Sequence, residues 1–325
     1  MEHALELSFL DKVRAWWVGE IISTAPEAQS HPAEPDPQAD PVDGDAEDQK
    51  QGGPSAQAQQ VPNRTRLRVA QEVWGEGYLG PGDDAYVIDL AKPLNPSSEH
   101  TMLMLSAELG GPTRSLAEKF GVWITAYESQ ALMDALGMDQ SMLSGVARQV
   151  ELALCDFETL ELPPNKFAST FWKEGLFRVS DKAAVLKQVY QSLKPGGSLL
   201  ITDFVKSEPG PLTADVADWA RSEPVEPALW STEEAVDALK QLKFRVAVAE
   251  DISDTYQRIV IAAWKRWLVL LPQLREEGNL DPNFLNAMMS EVADWVHRAQ
   301  VLESGNLKVF RFLAFKSDGV LADEG

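Results

Sequence analysis

Met102–Glu128 reads MLMLSAELGGPTRSLAEKFGVWITAYE, and its pattern decides the fold. Met102–Leu105 is a short apolar run, the pattern of a strand buried on both faces. Gly110 and Gly111 let the backbone turn sharply, and Pro112 suits the first turn of a helix, where its missing N–H costs nothing. Ser115–Phe120 carries that helix, with Leu116 and Phe120 one turn apart on one face. Gly121 stops it, and Val122–Tyr127 is a second β-rich run followed by an acid, Glu128. Strand, glycine turn, helix and strand make half of a βαβ unit, and open α/β sheets bind nucleotide-like ligands at such turns. The same glycines also fit a plain crossover that needs only close packing of helix on strand.

A second stretch separates these two readings. Ala183–Val205, AAVLKQVYQSLKPGGSLLITDFV, is an amphipathic helix (Val185, Leu186, Val189, Tyr190, Leu193), a Lys-Pro-Gly-Gly turn and an apolar strand ending in Asp203. LKPGG before an apolar strand, downstream of an LGG turn and an acid-terminated strand, resembles the S-adenosylmethionine-dependent methyltransferases of the seven-stranded Rossmann-like fold. More narrowly, the chain is similar to the branch containing phosphoethanolamine and sarcosine/dimethylglycine methyltransferases. Trp74–Gly82 (WGEGYLGPG) resembles that branch's leading segment, and Leu109–Gly121 (LGGPTRSLAEKFG) its nucleotide loop. Phe177–Val189 (FRVSDKAAVLKQV) resembles the segment after its fourth strand. The match covers roughly Arg68–Lys316, about three quarters of the chain.

Composition bounds the function classes. The chain has 325 residues with 44% apolar, enough for one or two cored domains. A net charge of −21 argues against nucleic acid and anionic membrane surfaces, both of which favour a basic patch. A single cysteine, Cys155, excludes an internal disulfide and fits a reducing cytoplasmic setting. Four scattered histidines (His3, His31, His100, His297) without a cysteine pair predict no metal site. Ile259–Leu271, interrupted by Lys265 and Arg266, is too short to span a bilayer and reads as an amphipathic helix.

Four segments are expected: a helix within 1–23, a linker over 24–62, a methyltransferase-like domain over 63–317 and a tail over 318–325. Leu5, Phe9, Val13, Trp16 or Trp17 and Ile21 share a helical face. Such a helix either packs on the domain or docks another protein, with Phe9, Val13, Trp16 and Trp17 as the contact residues. Its acids Glu2, Glu6, Asp11 and Glu20 argue against a membrane surface. Thr24–Pro62 has no aromatic residue and is rich in Pro, Ala, Gln and acids, a composition that predicts a disordered tether spanning on the order of 35 Å.

Within the domain, helices are expected over Arg66–Trp74, Asp84–Lys92, Ser115–Phe120, part of Gln130–Arg148, Asp181–Leu193, Ser231–Leu242, Thr255–Glu276 and Pro282–Glu303. Strands are expected at Met102–Leu105, Val122–Tyr127, Val150–Leu154, near Phe167–Phe171, and at Ser198–Phe204, Phe244–Ala249 and Leu307–Phe315. The alternation is that of an α/β doubly wound sheet. The resemblance implies strand order 3-2-1-4-5-7-6 with strand 7 antiparallel, and a helical insertion before the last strand that covers a substrate.

The resemblance also implies a site. Gly110 and Gly111 fall in the cofactor loop, Glu128 at the acid that holds the ribose, Asp156 at an acid facing the adenine, and Phe157 beside the ring. The family's loop begins with an acid followed by spaced glycines, and on this alignment those positions hold Met104, Ser106 and Glu108. A side chain at a left-handed glycine position costs roughly 1–2 kcal/mol. Glu108 would also face the cofactor's own carboxylate, a repulsion of roughly 1–4 kcal/mol at about 4 Å. After strand four come Trp172 and Lys173, large for a wall that admits a methyl acceptor, and Arg178 replaces the family's histidine. Packing for Trp172 and solvated charge for Lys173 and Arg178 are the plainer expectations. The sequence therefore predicts a methyltransferase-fold binding or regulatory module that takes S-adenosylmethionine weakly or not at all. The alternative is an active S-adenosylmethionine-dependent methyltransferase acting on a small molecule.

Overall fold

The computed structural model describes residues 63–143, 148–276, 278 and 281–317. The expected helix of 1–23, the linker of 24–62 and the tail of 318–325 lie outside these residues. The order along the chain begins with helices α1 (Asn63–Trp74) and α2 (Asp84–Ala91). Then come β1 (Thr101–Leu105), α3 (Gly111–Phe120), β2 (Trp123–Ser129), α4 (Gln130–Ala135), β3 (Val150–Cys155) and β4 (Phe167–Lys173). They are followed by α5 (Lys182–Ser192), β5 (Leu193–Lys206), α6 (Ala214–Ser222), α7 (Thr232–Gln241) and β6 (Phe244–Asp251). Two long helices, α8 (Ser253–Glu276) and α9 (Pro282–Glu303), precede β7 (Leu307–Lys316).

The seven strands form one sheet in the order β3-β2-β1-β4-β5-β7-β6. β1 to β5 pair in parallel, and β7 runs antiparallel between β5 and β6. This is the expected order, with the insertion where it was expected. Met102, Leu103, Met104 and Leu105 are all fully buried, as a central parallel strand requires. One core layer sets Val185, Leu186 and Val189 of α5 and Ala235 and Leu239 of α7 against Leu199 and Ile201 of β5. Helices α8 and α9 pack on α1. There Trp74 meets Trp295 at 4.8 Å and Trp264 at 6.0 Å between ring centroids.

Local signals placed most boundaries. Ser231 accepts from the Glu234 amide at 3.2 Å while the Glu234 carboxylate accepts from the Ser231 amide at 2.6 Å, the capping box read in the sequence. The helix after the glycine turn starts at Gly111 rather than Ser115, because Pro112 occupies its first turn. Helix α4, Gln130–Ala135, lies within the span expected to hold a helix. Helix α6 was missed altogether. β5 begins at Leu193, ahead of the Lys-Pro-Gly-Gly segment, whose extra residues are absorbed by a register shift between Phe167 and Ser169 on β4.

Candidate functional site

The loop after β1 leaves the carboxyl edge of the sheet between β2 and β4, where open α/β sheets bind ligands. Its backbone has the shape of a glycine loop although two of its residues carry side chains. Ser106 has φ 58° and Glu108 φ 55°, both left-handed, ahead of Gly110 at φ 104°. The surroundings hold these dihedrals in place. Trp172 Nε1 donates to Ser106 Oγ at 3.1 Å. The Ala107 amide donates to Tyr127 O at 3.2 Å and the Gly110 amide to Ala107 O at 3.1 Å. The amides of Leu109 and Gly111 both reach Gly77 O, at 3.1 and 3.0 Å. The Glu108 amide donates to the Glu128 carboxylate at 2.6 Å. Every amide from Ala107 to Gly111 is thus taken by an acceptor of the chain itself, and none is left pointing at a ligand.

The segment Gly75–Gly82 forms a strap across this loop. Gly77, at φ 82°, lies so close that a Cβ there would sit 2.5 Å from the Gly111 nitrogen. Its amide donates to Gln71 Oε1 at 3.0 Å. Tyr78 pins the strap to α2 and α3 through Asp84 at 2.8 Å and Ser115 at 3.0 Å. Burial raises the Tyr78 phenol far above its usual range.

Glu108 joins strap, loop and β4. One carboxylate oxygen lies 2.6 Å from Lys173 Nζ. The other accepts from the amides of Leu79 and Gly80, the latter at 3.2 Å. Lys173 is 2% exposed, so the expectation of solvated charge is wrong at this position. Burial opposes its charge, but Glu108 and then Glu174, 3.6 Å away, outweigh burial and hold the ammonium above its usual value. Glu174 also accepts from Tyr256 Oη at 2.8 Å, which brings helix α8 into the network.

The other expected site residues lie at the neighbouring carboxyl ends of β2 and β3. Glu128 ends β2 as expected but is 1% exposed. Its two oxygens accept from the Ser129 amide at 2.7 Å and the Glu108 amide at 2.6 Å. Burial pushes its pKa up to about 7, against those two hydrogen bonds and with some help from Glu108. Asp156 accepts from the Glu158 amide at 3.0 Å and caps a short turn. Phe157 is buried edge-on against Trp172, with centroids 5.4 Å apart, so it offers no free face to an adenine. Trp172 is fully buried, as the packing reading expects. Arg178 bonds Glu223 at 3.0 Å and lies over the Phe177 ring at 4.1 Å, so it too departs from simple solvation.

Sequence reading missed Glu223, Arg298 and Tyr256. Glu223 bridges Arg178 and Arg298, 45 and 75 residues away, and no local pattern marks such a partner. Neither of two described cavities includes a residue of the loop. One is an open depression of about 650 Å³ beside Arg64, Gln71, Glu76 and Met142. The other, about 20 Å³, has room for one water between Lys182, Asp203 and Trp230. Among the described residues no cluster of three His, Cys, Asp or Glu side chains has a metal-binding arrangement. No described helix is long and apolar enough to cross a membrane.

Comparison with known proteins places this geometry. Residues 89–230 match the ubiE/COQ5 methyltransferase family. Phosphoethanolamine N-methyltransferase 1 of Arabidopsis thaliana is 23% identical over 190 residues, 58% of this chain and 38% of that protein. The chain thus spans about two fifths of the length of the plant relatives it matches. Among solved structures, Haemonchus contortus phosphoethanolamine N-methyltransferase 2 in complex with S-adenosyl-L-methionine superimposes with a TM-score of 0.65. It shares 19% identity and covers 80% of this chain and 58% of its own. The [4+2]-cyclase SpnF superimposes with a TM-score of 0.57 and 17% identity over 78% of this chain and 93% of its own. Residues 89–230 are thus similar to the ubiE/COQ5 methyltransferase family, and the sheet has the strand order of the S-adenosylmethionine-dependent methyltransferase fold.

Proposed function

We propose that this chain uses the methyltransferase fold as a binding or regulatory module whose cofactor loop is sealed by its own side chains. The observation that carries the reading is Glu108. It stands at a glycine position of the loop, is 7% exposed, and is held by Lys173 and two strap amides. A ligand carboxylate entering there would meet a buried carboxylate and a loop whose amides are already taken. A fold neighbour named as a cyclase supports separating this fold from methyl transfer.

A second reading is the one the comparisons favour: an active S-adenosylmethionine-dependent methyltransferase acting on a small molecule. Relatives such as the Arabidopsis protein are named as methyltransferases, and this chain keeps Gly110 and Gly111 at the helix start after β1 and Glu128 near the end of β2. Calorimetric titration with S-adenosylmethionine and S-adenosylhomocysteine separates the two. The expected result is weak or no binding by the native chain and tighter binding by Ser106→Gly with Glu108→Gly. A dissociation constant in the low micromolar range for the native chain would establish the second reading and overturn the first.

The partner of such a module is proposed to be a protein bound through Leu5–Ile22, which lies outside the described residues. Apolar residues on one face with Trp16 and Trp17 as anchors support a protein groove. Trp16→Ala with Trp17→Ala is expected to weaken partner binding by about 2 kcal/mol or more. The melting temperature of the domain should stay nearly unchanged. A large fall in that temperature would make the segment a packed part of the domain.

A further inference from the structure

Trp267–Leu271 is apolar at five consecutive positions of α8, and at about 100° per residue five positions go round the whole helix. The inner side is accounted for, since Trp267 is buried and meets Trp264 at 6.2 Å between ring centroids. The outer side is not: Val269 is 77% exposed and Leu270 40%. Helix α9 repeats the pattern. Phe284 and Met288 are fully buried, while Leu285 and Met289, one turn apart, stand exposed. These four side chains are four of the six large apolar ones left exposed among the described residues. They share one end of the insertion, Val269 seven residues before Glu276 at the end of α8 and Met289 seven after Pro282 at the start of α9. Scattered apolar side chains need no cover, but a group gathered at one end of a helix pair marks an interaction surface.

Charge says what covers it. Helix α8 carries four basic residues against two acids in a chain of net charge −21, and Lys265 and Arg266 stand exposed just before the patch. Helix α9 with its capping Asp281 carries four acids against one arginine, Arg298, which is already paired with Glu223. An apolar patch flanked by positive charge and another flanked by negative charge thus lie at the same end of one insertion. Such a surface matches itself after a half-turn, the condition for a two-fold dimer.

We propose that the end of the α8–α9 insertion is the interface of a homodimer. Val269 and Leu270 of one copy pack on Leu285 and Met289 of the partner subunit, and symmetry repeats the contact. Positive α8 then faces negative α9 on both sides of the axis, which offsets the repulsion between two chains of net charge −21. The interface uses neither the loop after β1 nor Leu5–Ile22.

The test is the mass of the full chain by sedimentation equilibrium across a range of concentrations. The native chain is expected to reach twice the monomer mass with a dissociation constant on the order of micromolar, as suits a small interface. Val269→Asp places a carboxylate in the apolar contact and opposite acidic α9, and should weaken the dimer by about tenfold or more. Because Val269 is exposed in the monomer, the variant should melt with the native chain at concentrations where both are monomeric. Val269→Asp with Leu285→Lys sets opposite charges across the two-fold contact and should restore the dimer. A native chain still monomeric at about 100 µM, well above a micromolar constant, overturns the proposal. So does a dimer that Val269→Asp leaves intact. A dimer lost only in Trp16→Ala with Trp17→Ala overturns it as well, and makes Leu5–Ile22 the contact between copies.

Discussion

Lys173→Met is expected to lower the unfolding free energy by about 3–5 kcal/mol, the usual cost of removing one partner from a buried ion pair. Methionine fills most of the lysine's space, so the loss is electrostatic. Glu108 loses its cation at 2.6 Å and Glu174 loses one at 3.6 Å. Burial already raises the Glu174 carboxyl, and Lys173 and the Tyr256 hydroxyl restrain that rise. Without Lys173 the folded-state pKa of Glu174 climbs further above its unfolded value. An acid raised on folding binds more protons in the native state, so stability falls as pH rises from the unfolded carboxylate value towards the folded one. The loss should be larger at about pH 8 than at about pH 5 when urea unfolding curves are compared. A loss under about 1 kcal/mol, or one with no pH dependence, would mean that the buried pair does not hold the loop shut.

Glu223→Ala should cost a similar amount, about 3–5 kcal/mol, with the opposite pH signature. Glu223 joins Arg178 at 3.0 Å and Arg298, and its side chain is 2% exposed. Burial would raise its carboxyl, but Arg298 and Arg178 outweigh burial and hold it below the usual value. A lowered acid contributes stability that is fully present above its unfolded pKa and lost as pH falls through the folded one. Guanidinium groups do not shed their charge when the carboxylate is gone, so the deficit should stay level from near neutrality down to about pH 5. It should then shrink as pH falls below the unfolded carboxylate value of about 4.3, where the unfolded chain takes up a proton that folded Glu223 resists. Unfolding free energies across that range read the difference directly, and Glu223→Gln should recover part of the loss by keeping hydrogen bonds. A deficit unchanged at about pH 3 would rule out ion pairing as its source.

These two networks mark where sequence reading stops. Met102–Leu105, the Gly110–Gly111 turn, and the Ser231–Glu234 capping box were legible because their causes lie within a few residues of one another. The sheet order came through the resemblance, since parallel pairing of β1 with β4 joins residues more than 60 apart. The substitutions at Ser106 and Glu108 were visible as departures from a glycine loop, and the left-handed dihedrals there match that reading. Their compensation was not visible. Lys173 is 65 residues from Glu108, and a lysine beside Glu174 gives no sign of which acid it faces. Glu128 was legible as the acid after β2 but not as buried, because burial here depends on the loop folding over it.

The position of β7 has a consequence for synthesis of the chain. Among the described residues β6 has no sheet neighbour except β7, and β7 also fills the open side of β5. On the ribosome β6 is complete before the 55 residues 252–306 are added, and only then does β7 follow. At typical elongation rates that interval lasts about 3–11 s. Throughout it β5, with its buried apolar residues, presents an unpaired edge, and β6 has no partner. The nascent chain is therefore most prone to aggregation just before its last strand emerges, and a chaperone that covers strand edges has most to protect at that stage.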